Sequence, residues 1–290
     1  MIQAASARPL RLPAALGLAL LVAGCAGARS PQTQYLAGFA EAERTVRTFP
    51  AASEVAPDLT LDAAYRLQAQ VVRTRLAHGD RVVGYKGGLM SAKSLADKGV
   101  TEPLTGVLFA SGDLADGARI SLCAYRRPAL EMKLGYVFAR PVAARSSGVA
   151  DLKARVRDVV PVVELPDIAY RNGDAYSAVD MAAANVSSAR FVRGARHEPS
   201  AAELDALPVT LFRDGVQVTR GLGRDSLGGQ WDSLLTVVNL VVAHGGHIAP
   251  GQIVITGKIG DKVAVPAGSY RADYGPFGSV RFQLDACPGR

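Results

Sequence analysis

Hydrophobic and polar residues alternate over residues 127–139, which is the pattern of a β-strand with two different faces. Successive side chains of a strand point to opposite sides of the sheet, so every second residue shares a face. One face of this predicted strand carries a carboxylate and an ammonium, Glu131 and Lys133, about 7 Å apart by the rise per residue. The opposite face is apolar and consists of Leu130, Met132, Leu134, Tyr136 and Phe138.

A second strand is predicted at residues 159–163, an apolar run that contains four valines and one proline. Short β-branched runs are typical of buried strands. The run is followed directly by Glu164 and is bounded by Pro166. Since the two predicted strands bring three charged residues next to apolar sequence, we expect the chemistry of the protein to lie where they meet.

The N-terminal part of the chain has helical periodicity instead. Apolar residues recur at helical spacing over 35–48 and again from 61, where Thr60 is a suitable N-cap and Gly79 ends the pattern. After Gly84 the sequence predicts a hairpin at 209–219, a helix at 231–244 and strands at 253–256, 262–265, 270–273 and 279–284. We therefore expect an α+β fold with one domain at 35–290, helical over about 35–80 and β-rich over about 81–290.

The first 25 residues have the features of an export signal. Arg8 and Arg11 precede an apolar run at 16–22 that is too short to span a bilayer. Val22-Ala23-Gly24-Cys25 then resembles a bacterial lipobox, so we expect 1–25 to be a lipoprotein signal peptide and Cys25 to carry the lipid that anchors the protein to a membrane. A plain signal peptide, cut after a small residue, is the alternative.

The residues after the signal extend this expectation to a cellular location. Residues 26–34 are small and polar and predict a tether. A lipid on Cys25 would hold the protein in the bacterial cell envelope, facing the periplasm. Ala26, where an Asp would favour retention in the inner membrane, favours the outer membrane.

Composition narrows the possible partners. The chain is 49% hydrophobic and 20% charged, which is typical of a globular protein. The net charge of +7 is spread along the chain without a basic run that contains aromatic residues, so we expect no nucleic-acid binding, while small anionic substrates remain compatible. Cys123 and Cys287 have no zinc-site spacing; a disulfide and two separate buried thiols are both open.

Several common catalytic motifs are missing from the sequence. It has no G-x-S-x-G nucleophile elbow, and Gly221-Leu222-Gly223 lies outside any strand–turn–helix unit, so no nucleotide cofactor is expected. His244 and His247 flank two glycines that end a helix, which favours satisfied or solvent-facing histidines over metal ligands. The candidates that remain for chemistry are Lys86, Glu131, Lys133 and Glu164.

Motifs around these residues, taken in their order along the chain, resemble one protein family. These motifs are Gly84-Tyr85-Lys86-Gly87-Gly88-Leu89, Gly99-Val100, Gly106-Val107-Leu108-Phe109, Glu131, Glu164, Asn185 with Ser187, Leu227-Gly228, Thr256-Gly257 and Gly278-Ser279-Val280. With them, the sequence over about 35–285 resembles the 2-keto-4-pentenoate hydratase and oxalocrotonate decarboxylase branch of the fumarylacetoacetate hydrolase superfamily.

The resemblance implies a fold, a cofactor and a substrate class. It implies helices packed on a mixed β-roll of the superfamily's C-terminal-domain type, assembled as a homo-oligomer. An E-x-E pair and a later Glu would bind Mg²⁺ or Mn²⁺, and the metal would chelate a small 2-oxo acid. Lys86 would assist proton transfer as acid/base. By the same resemblance, the substrate would be bound by Asn185, Ser187, Thr256 and Gly257.

This chain departs from the family pattern at the metal site. Glu131 and Glu164 stand at the first and third ligand positions, but the second position is Lys133, and a protonated amine has no lone pair for a metal. Three other segments differ as well, at Leu104, Ala184 and Gly229. These differences lie mainly at residues that are expected to take part in catalysis, and less at residues that are expected to determine the fold.

Three functions are therefore open. The first is a hydro-lyase (hydratase) or decarboxylase that acts through an enolate on small 2-oxo or 2-hydroxydienoic acids with a divalent metal. The second is metal-free lyase or isomerase chemistry, with Lys86 as acid/base and the Lys133 ammonium in place of the metal. The third is an envelope lipoprotein that binds small carboxylates and has lost catalysis.

Overall fold

The computed structural model describes Met1, residues 30–200 and residues 203–289. The predicted signal peptide and Cys25 lie outside the described residues. The helical part begins earlier than the sequence indicated: helix α1 starts at Pro31, so the predicted tether at 26–34 is too long. The side chain of Ser30 accepts a hydrogen bond from the Thr33 amide, and proline is well suited to the first helical position, so these residues start a helix rather than a tether.

The helices of the described residues fall into an N-terminal group and four later segments. Thr60 caps the longest N-terminal helix as predicted, and the predicted downstream helix begins one residue before Trp231. Their bounds are α1 (Pro31–Thr45), α2 (Ala52–Val55), α3 (Leu61–Ala77), α4 (Ala92–Asp97), α5 (Val149–Lys153), α6 (Ala178–Ala183) and α7 (Gln230–Ala243).

The strands occupy the rest of the chain in short segments, as the turn-rich sequence indicates. The hairpin around Asp214 and Gly215 is confirmed, and the later strands lie within three residues of the predicted positions. Their bounds are β1 (Val82–Gly88), β2 (Leu104–Phe109), β3 (Asp113–Ala115), β4 (Ala118–Ser121), β5 (Leu130–Phe138), β6 (Val156–Leu165), β7 (Arg190–Arg193), β8 (Pro208–Arg213), β9 (Val216–Leu222), β10 (Ile253–Ile255), β11 (Ile259–Val263), β12 (Gly268–Asp273) and β13 (Ser279–Asp285).

Two sheets organise these strands. The eight-stranded sheet has the order β2-β1-β10-β5-β6-β7-β3, and β11 pairs separately with β5. The five-stranded sheet has the order β4-β13-β12-β8-β9. Parallel and antiparallel pairs occur in both sheets, so the α+β fold with a mixed sheet is confirmed. Strand β5, predicted from the alternating pattern, lies in the middle of the larger sheet with β10 and β6 at its sides.

The described residues form three hydrophobic cores, and residues of this central strand belong to two of them. The largest cluster contains the apolar face of β5, including Leu134 and Tyr136, and packs against α7 and the smaller sheet. A second cluster is formed by the N-terminal helices and α6. In the part of the chain that the structure describes, no helix is both long and apolar enough to cross a membrane.

A disulfide joins Cys123 to Cys287 and decides between the two alternatives for these cysteines. It connects the segment after β4 to the segment after β13, the two strands that pair at one edge of the smaller sheet. A cross-link between residues 164 positions apart restricts the unfolded chain more than a local one would.

Candidate active site

The antiparallel pairing of β5 with β6 builds the centre of the site. Glu131 lies directly opposite Glu164, and Lys133 shares their face because it is two residues further along β5. The Lys133 Nζ lies 2.6 Å from Glu164 Oε2 and 3.1 Å from Glu131 Oε2. The predicted meeting of the two charged strands is therefore present, and the ammonium occupies the space between the two carboxylates.

Strand β1 adds the fourth charge. Lys86 forms an ion pair with Glu164 Oε1, and its Nζ donates a hydrogen bond to the Val186 carbonyl at 3.0 Å. Its neighbour across the sheet is Gly106. A β-carbon there would lie 2.8 Å from the Asn185 carbonyl oxygen and 3.2 Å from Lys86 Cγ, so glycine leaves room for both the backbone at Asn185 and the lysine stem. We call Lys86, Glu131, Lys133 and Glu164 the inner quartet.

Because the inner quartet is largely buried, the ion pairs within it strongly affect the pKa values of its members. Lys86, Lys133 and Glu164 are 3%, 2% and 1% exposed, and the Glu131 side chain is 16% exposed. Burial lowers the pKa of Lys86, since Glu164 offsets only part of the cost of desolvating its charge. For Lys133, burial acts in the same direction, but Glu164 and Glu131 outweigh it and hold its pKa above the ordinary value. Burial also disfavours ionised Glu131, yet Lys133 and Lys86 hold its pKa below the ordinary value.

The hydrogen-bonding capacity of the two lysines differs. Lys133 has three N–H groups, and three acceptors lie around it: the two carboxylates and, at 3.4 Å, the Gly87 carbonyl. Lys86 has two acceptors within the described residues, Glu164 and the Val186 carbonyl. One N–H of Lys86 therefore remains for a ligand, whereas Lys133 contributes mainly charge.

A divalent metal, which the resemblance implies, does not fit these residues. The position between the two carboxylates is filled by an ammonium, which cannot ligate and repels cations. Within the described residues, no group of three or more histidine, cysteine, aspartate or glutamate side chains could hold a metal ion.

The inner quartet forms one wall of a cavity of about 650 Å³. Lys86, Lys133 and Glu131 line it, together with the loop and helix after β1 and the residues around Tyr176. A larger cavity, of about 1030 Å³, lies against the N-terminal helices. Its lining contains none of the inner quartet, and several of its charged groups are paired with one another, as Arg126 is with Asp167. We therefore place the chemistry at the smaller cavity.

The predicted residues Asn185 and Ser187 belong to a strained turn beside the site. Asn185, Val186 and Ser187 have φ values of 54°, 52° and 54°, in the left-handed region that costs L-residues about 1–2 kcal/mol each. The Asn185 side chain holds this turn, since it accepts from the Val107 amide at 2.7 Å and donates to the Val107 carbonyl at 2.9 Å. The turn directs the Val186 carbonyl to Lys86.

Ser187 lines the cavity, and its hydroxyl lies 2.7 Å from the Tyr170 hydroxyl. Gly257 also lines it and has no space for a side chain, because a β-carbon would lie 2.4 Å from Ser226 Oγ. Thr256 is fully buried behind the wall, where its hydroxyl is 2.8 Å from Gln230 Oε1. The roles of Asn185, Ser187, Thr256 and Gly257 in binding substrate stay predictions; Asn185 and Thr256 make structural contacts here.

Sequence reasoning missed several residues of the cavity. They include three lysines that line it and that we call the outer lysines, namely Lys98, Lys258 and Lys262. Tyr176 also lines it, and its carbonyl accepts a 2.5 Å hydrogen bond from Lys98 Nζ. None of these residues lies in a motif on which the family resemblance rests. A signal was nevertheless present in the sequence: the chain has only seven lysines among 33 basic residues, and four of them lie in the two short segments 93–98 and 258–262.

Comparisons with known proteins identify relatives that are similar over most of the chain. The chain is 33% identical over 243 residues to the 2-keto-4-pentenoate hydratase of Burkholderia vietnamiensis, covering 83% of this chain and 92% of that protein. It is 31% identical over 229 residues to a Pseudomonas 4-oxalocrotonate decarboxylase, covering 78% and 86%. No protein-family model matches the sequence.

Solved structures that are similar to this chain include a 4-oxalocrotonate decarboxylase as well. The 4-oxalocrotonate decarboxylase from Pseudomonas putida, complexed with magnesium and adipate, has a TM-score of 0.82 at 28% identity and covers 88% of this chain and 98% of its own. A second structure of that protein holds calcium and acetate. A fumarylacetoacetate hydrolase family protein from Yersinia pestis is similar in fold, with a TM-score of 0.55 at 12% identity, and covers 69% of this chain and 92% of its own.

The fold of this protein is therefore that of the fumarylacetoacetate hydrolase family. Within that class, the chain belongs to the family of 2-keto-4-pentenoate hydratases and 4-oxalocrotonate decarboxylases. The hydratases among these relatives are lyases. Both structures of the Pseudomonas putida decarboxylase contain a divalent metal, whereas in this chain an ammonium, that of Lys133, lies between the two carboxylates.

Proposed function

We propose that this protein is a carbon–oxygen lyase of the hydratase type that acts on small 2-oxo or 2-hydroxydienoic acids without a divalent metal. The observation that carries the proposal is the position of the Lys133 Nζ between Glu131 and Glu164, at the wall of the cavity. The family relatives support the reaction class, and the inner quartet supports the absence of a metal requirement.

Charge balance supports this exchange of metal for lysine. A divalent cation with three carboxylates has a net charge of −1, and the Lys133 ammonium with two carboxylates has the same net charge. Lys86 then brings either arrangement to neutrality. The substitution thus preserves the charge around a bound 2-oxo acid, although a single ammonium stabilises a developing enolate less than a divalent ion would.

Lys86 is the residue that we assign to proton transfer. Burial lowers its pKa, so the difference in free energy between its ammonium and amine forms is smaller than for an exposed lysine. Glu164 and the Val186 carbonyl fix its position and leave one N–H toward the cavity. Lys86 can therefore donate a proton to a substrate carbon and later recover it, while the charge of Lys133 faces the substrate oxygens.

The second candidate function is binding of a small carboxylate without turnover. It is favoured by the saturation of Lys133, whose three N–H groups all have protein acceptors, and by the ion pair that holds Lys86. On this alternative the inner quartet supports the cavity wall and the reaction has been lost.

A turnover assay of the full-length protein distinguishes these functions. We expect the protein to hydrate 2-hydroxypenta-2,4-dienoate even in excess EDTA. The loss of absorbance of the dienoate measures this reaction. Lys86→Met should lower kcat by about a hundredfold or more. Lys153→Met, a substitution outside the cavity, is the control and should have no effect. Turnover only after addition of Mg²⁺ would contradict the metal-free reaction, and binding of pyruvate without any turnover would favour the second candidate.

We also infer that the protein is a periplasm-facing lipoprotein, anchored through Cys25 and more often sorted to the outer than to the inner membrane, and that it assembles as a homo-oligomer. The disulfide between Cys123 and Cys287 supports an oxidising compartment. Replacement of Cys25 by Ser should release the protein from the membrane fraction. Light scattering of the detergent-solubilised protein would test the oligomer; a monomer mass would contradict it.

A further inference from the structure

Tyr274 places a hydroxyl group deep in the core of the protein. The residue is 0% exposed and belongs to the hydrophobic cluster that also contains Met132 and Leu134. Phenylalanine would fill such a position without a polar atom, and a buried hydroxyl costs free energy unless it is hydrogen-bonded. The hydrogen-bond partners of this hydroxyl therefore indicate why the chain has a tyrosine here.

The Tyr274 hydroxyl contacts main-chain groups of two strands that carry the inner quartet. It donates a hydrogen bond to the Val162 carbonyl of β6 at 2.5 Å and accepts one from the Lys133 amide of β5 at 3.3 Å. Lys133 and Val162 lie opposite each other in the pairing of β5 with β6. The hydroxyl thus joins the two strands at the residue pair that contains Lys133.

The contact is made on the side of the sheet that faces away from the cavity. The Lys133 side chain points to Glu131 and Glu164, whereas its neighbours Met132 and Leu134 point into the core in which Tyr274 lies. Tyr274 is absent from the cavity lining that the described residues form. An effect of Tyr274 on catalysis would therefore have to pass through the position of Lys133.

A tight turn between β12 and β13 holds Tyr274 in this place. The Tyr274 amide donates to the Gly278 carbonyl at 2.8 Å, and the Phe277 amide donates to the Tyr274 carbonyl at 3.1 Å. Gly275 and Gly278 have φ values of 57° and 74°, which glycine adopts without steric cost. The main chain of the smaller sheet thus fixes where the phenol reaches the larger sheet.

The position of the Lys133 main chain determines where its ammonium lies. The Nζ is held 2.6 Å from Glu164 and 3.1 Å from Glu131. Because the Lys133 side chain is 2% exposed and closely packed, it has little freedom to compensate for a displaced main chain. A misplacement of about 1 Å in an active site can lower the rate by about a hundredfold.

We propose that Tyr274 is a positioning residue of the active site, and that its hydroxyl fixes the β5–β6 pair at Lys133 and thereby the place of the Lys133 ammonium between Glu131 and Glu164. The inference rests on the proposed function of the inner quartet. It goes further in assigning a part in catalysis to a residue of the smaller sheet that does not reach the cavity.

The test compares the kinetics of Tyr274→Phe and Tyr270→Phe in the full-length protein. Tyr270 is the matched control, since it is 3% exposed, lies in β12, and donates to the Pro266 carbonyl at 2.7 Å. Each variant loses one buried hydroxyl bonded to a carbonyl. We expect kcat for the hydration of 2-hydroxypenta-2,4-dienoate to fall about tenfold in Tyr274→Phe and less than about twofold in Tyr270→Phe, with KM changed less than about twofold in both.

A spectroscopic measurement reports the contact itself. The chain has seven lysines, so protein made with isotope-labelled lysine gives few amide signals, and the Lys133 signal is the one that Lys133→Met lacks. We expect this signal to shift in Tyr274→Phe and to stay in place in Tyr270→Phe. Replacement of Tyr274 by 4-aminophenylalanine, which restores a hydrogen-bond donor, should return kcat to within about threefold of the wild-type value. This second variant also serves if Tyr274→Phe does not fold.

Three results would overturn the positioning role: a kcat of Tyr274→Phe within twofold of the wild-type value, equal losses of kcat in the two phenylalanine variants, or an unchanged Lys133 amide signal. If the wild-type protein turns over in EDTA with any of these results, the proposed function stands and only the role of Tyr274 fails. If the wild-type protein has no turnover, the proposed function fails, and the catalytic role of Tyr274 fails with it.

Discussion

The inner quartet and the outer lysines show two uses of the same residue type in one cavity. The inner lysines are almost fully buried, paired with carboxylates and electrically balanced. The outer lysines are half-buried or exposed and have no carboxylate partner in the part of the chain that the structure describes. A buried charge must be compensated by the protein itself, so it specifies structure, whereas an uncompensated charge at a cavity mouth is available to a ligand.

The strongest consequence of this comparison is for stability. Lys133→Met would leave Glu131 and Glu164 opposite each other without the charge between them. We expect the free energy of unfolding at neutral pH to fall by about 3–5 kcal/mol, the cost typical of breaking a buried ion pair. Urea unfolding followed by circular dichroism measures this loss.

Lys262→Met is the matched control for that experiment, because this substitution also removes one positive charge, but from a side chain that is exposed. It should change the unfolding free energy by less than about 0.5 kcal/mol. Similar losses for the two variants would show that the inner and outer lysines do not differ in the way we describe.

The second consequence concerns metal binding. Lys133→Glu restores the E-x-E pair, and three buried carboxylates then need a cation. We expect this variant to be destabilised without metal and to recover about 2.7 kcal/mol when Mg²⁺ is present at about a hundred times its dissociation constant. Thermal unfolding with and without Mg²⁺ measures the recovery. The wild-type protein, in which Lys133 fills the position, should show no specific Mg²⁺ response, and a variant that also shows none would mean that the site has lost the geometry of a metal centre.

The sequence predicted the inner quartet better than the outer lysines for a physical reason. Period-two alternation places Glu131 and Lys133 on one face whatever the partner strand is. The register that sets Glu131 against Glu164 depends on pairing between distant strands. The patterns predicted that the two strands meet, and the family resemblance placed both carboxylates at one site. The outer lysines come together because the loop after α4 and strand β11 approach the same cavity, and neither segment has a pattern that reports this approach.

The same limit applies to the ends of elements and to the cysteines. Ser30 and Pro31 are residue types that favour the start of a helix, so the start of α1 could have been predicted from the sequence. The small and polar residues around them led to the prediction of a tether instead. The pairing of Cys123 with Cys287 was not recoverable, because it follows from the alignment of β4 with β13. Local chemistry was therefore visible in the sequence, and long-range placement was visible only where a family motif marked it.

The smallest expected effect is the response of binding to salt, and it separates the two regions without any mutation. The screening length falls from about 30 Å at 0.01 M to about 3 Å at 1 M ionic strength. The outer lysines, which are half-buried or exposed, should lose most of their attraction for a dianion such as 2-oxoglutarate over this range, and we expect the affinity for the dianion to fall by about fivefold. Pyruvate, held at the buried quartet, should weaken by less than about twofold, since buried charges are screened much less.

A Lys98→Met/Lys262→Met double variant shows whether this response comes from the outer lysines. If the outer lysines are its source, dianion binding to the variant should have the weak salt dependence that pyruvate has. Salt could instead act through chloride bound at the outer lysines, and repeating the calorimetric titration with a bulky organic anion in place of chloride distinguishes chloride binding from screening. An equal salt response for pyruvate and the dianion would mean that the inner quartet and the outer lysines do not differ in how they attract anions.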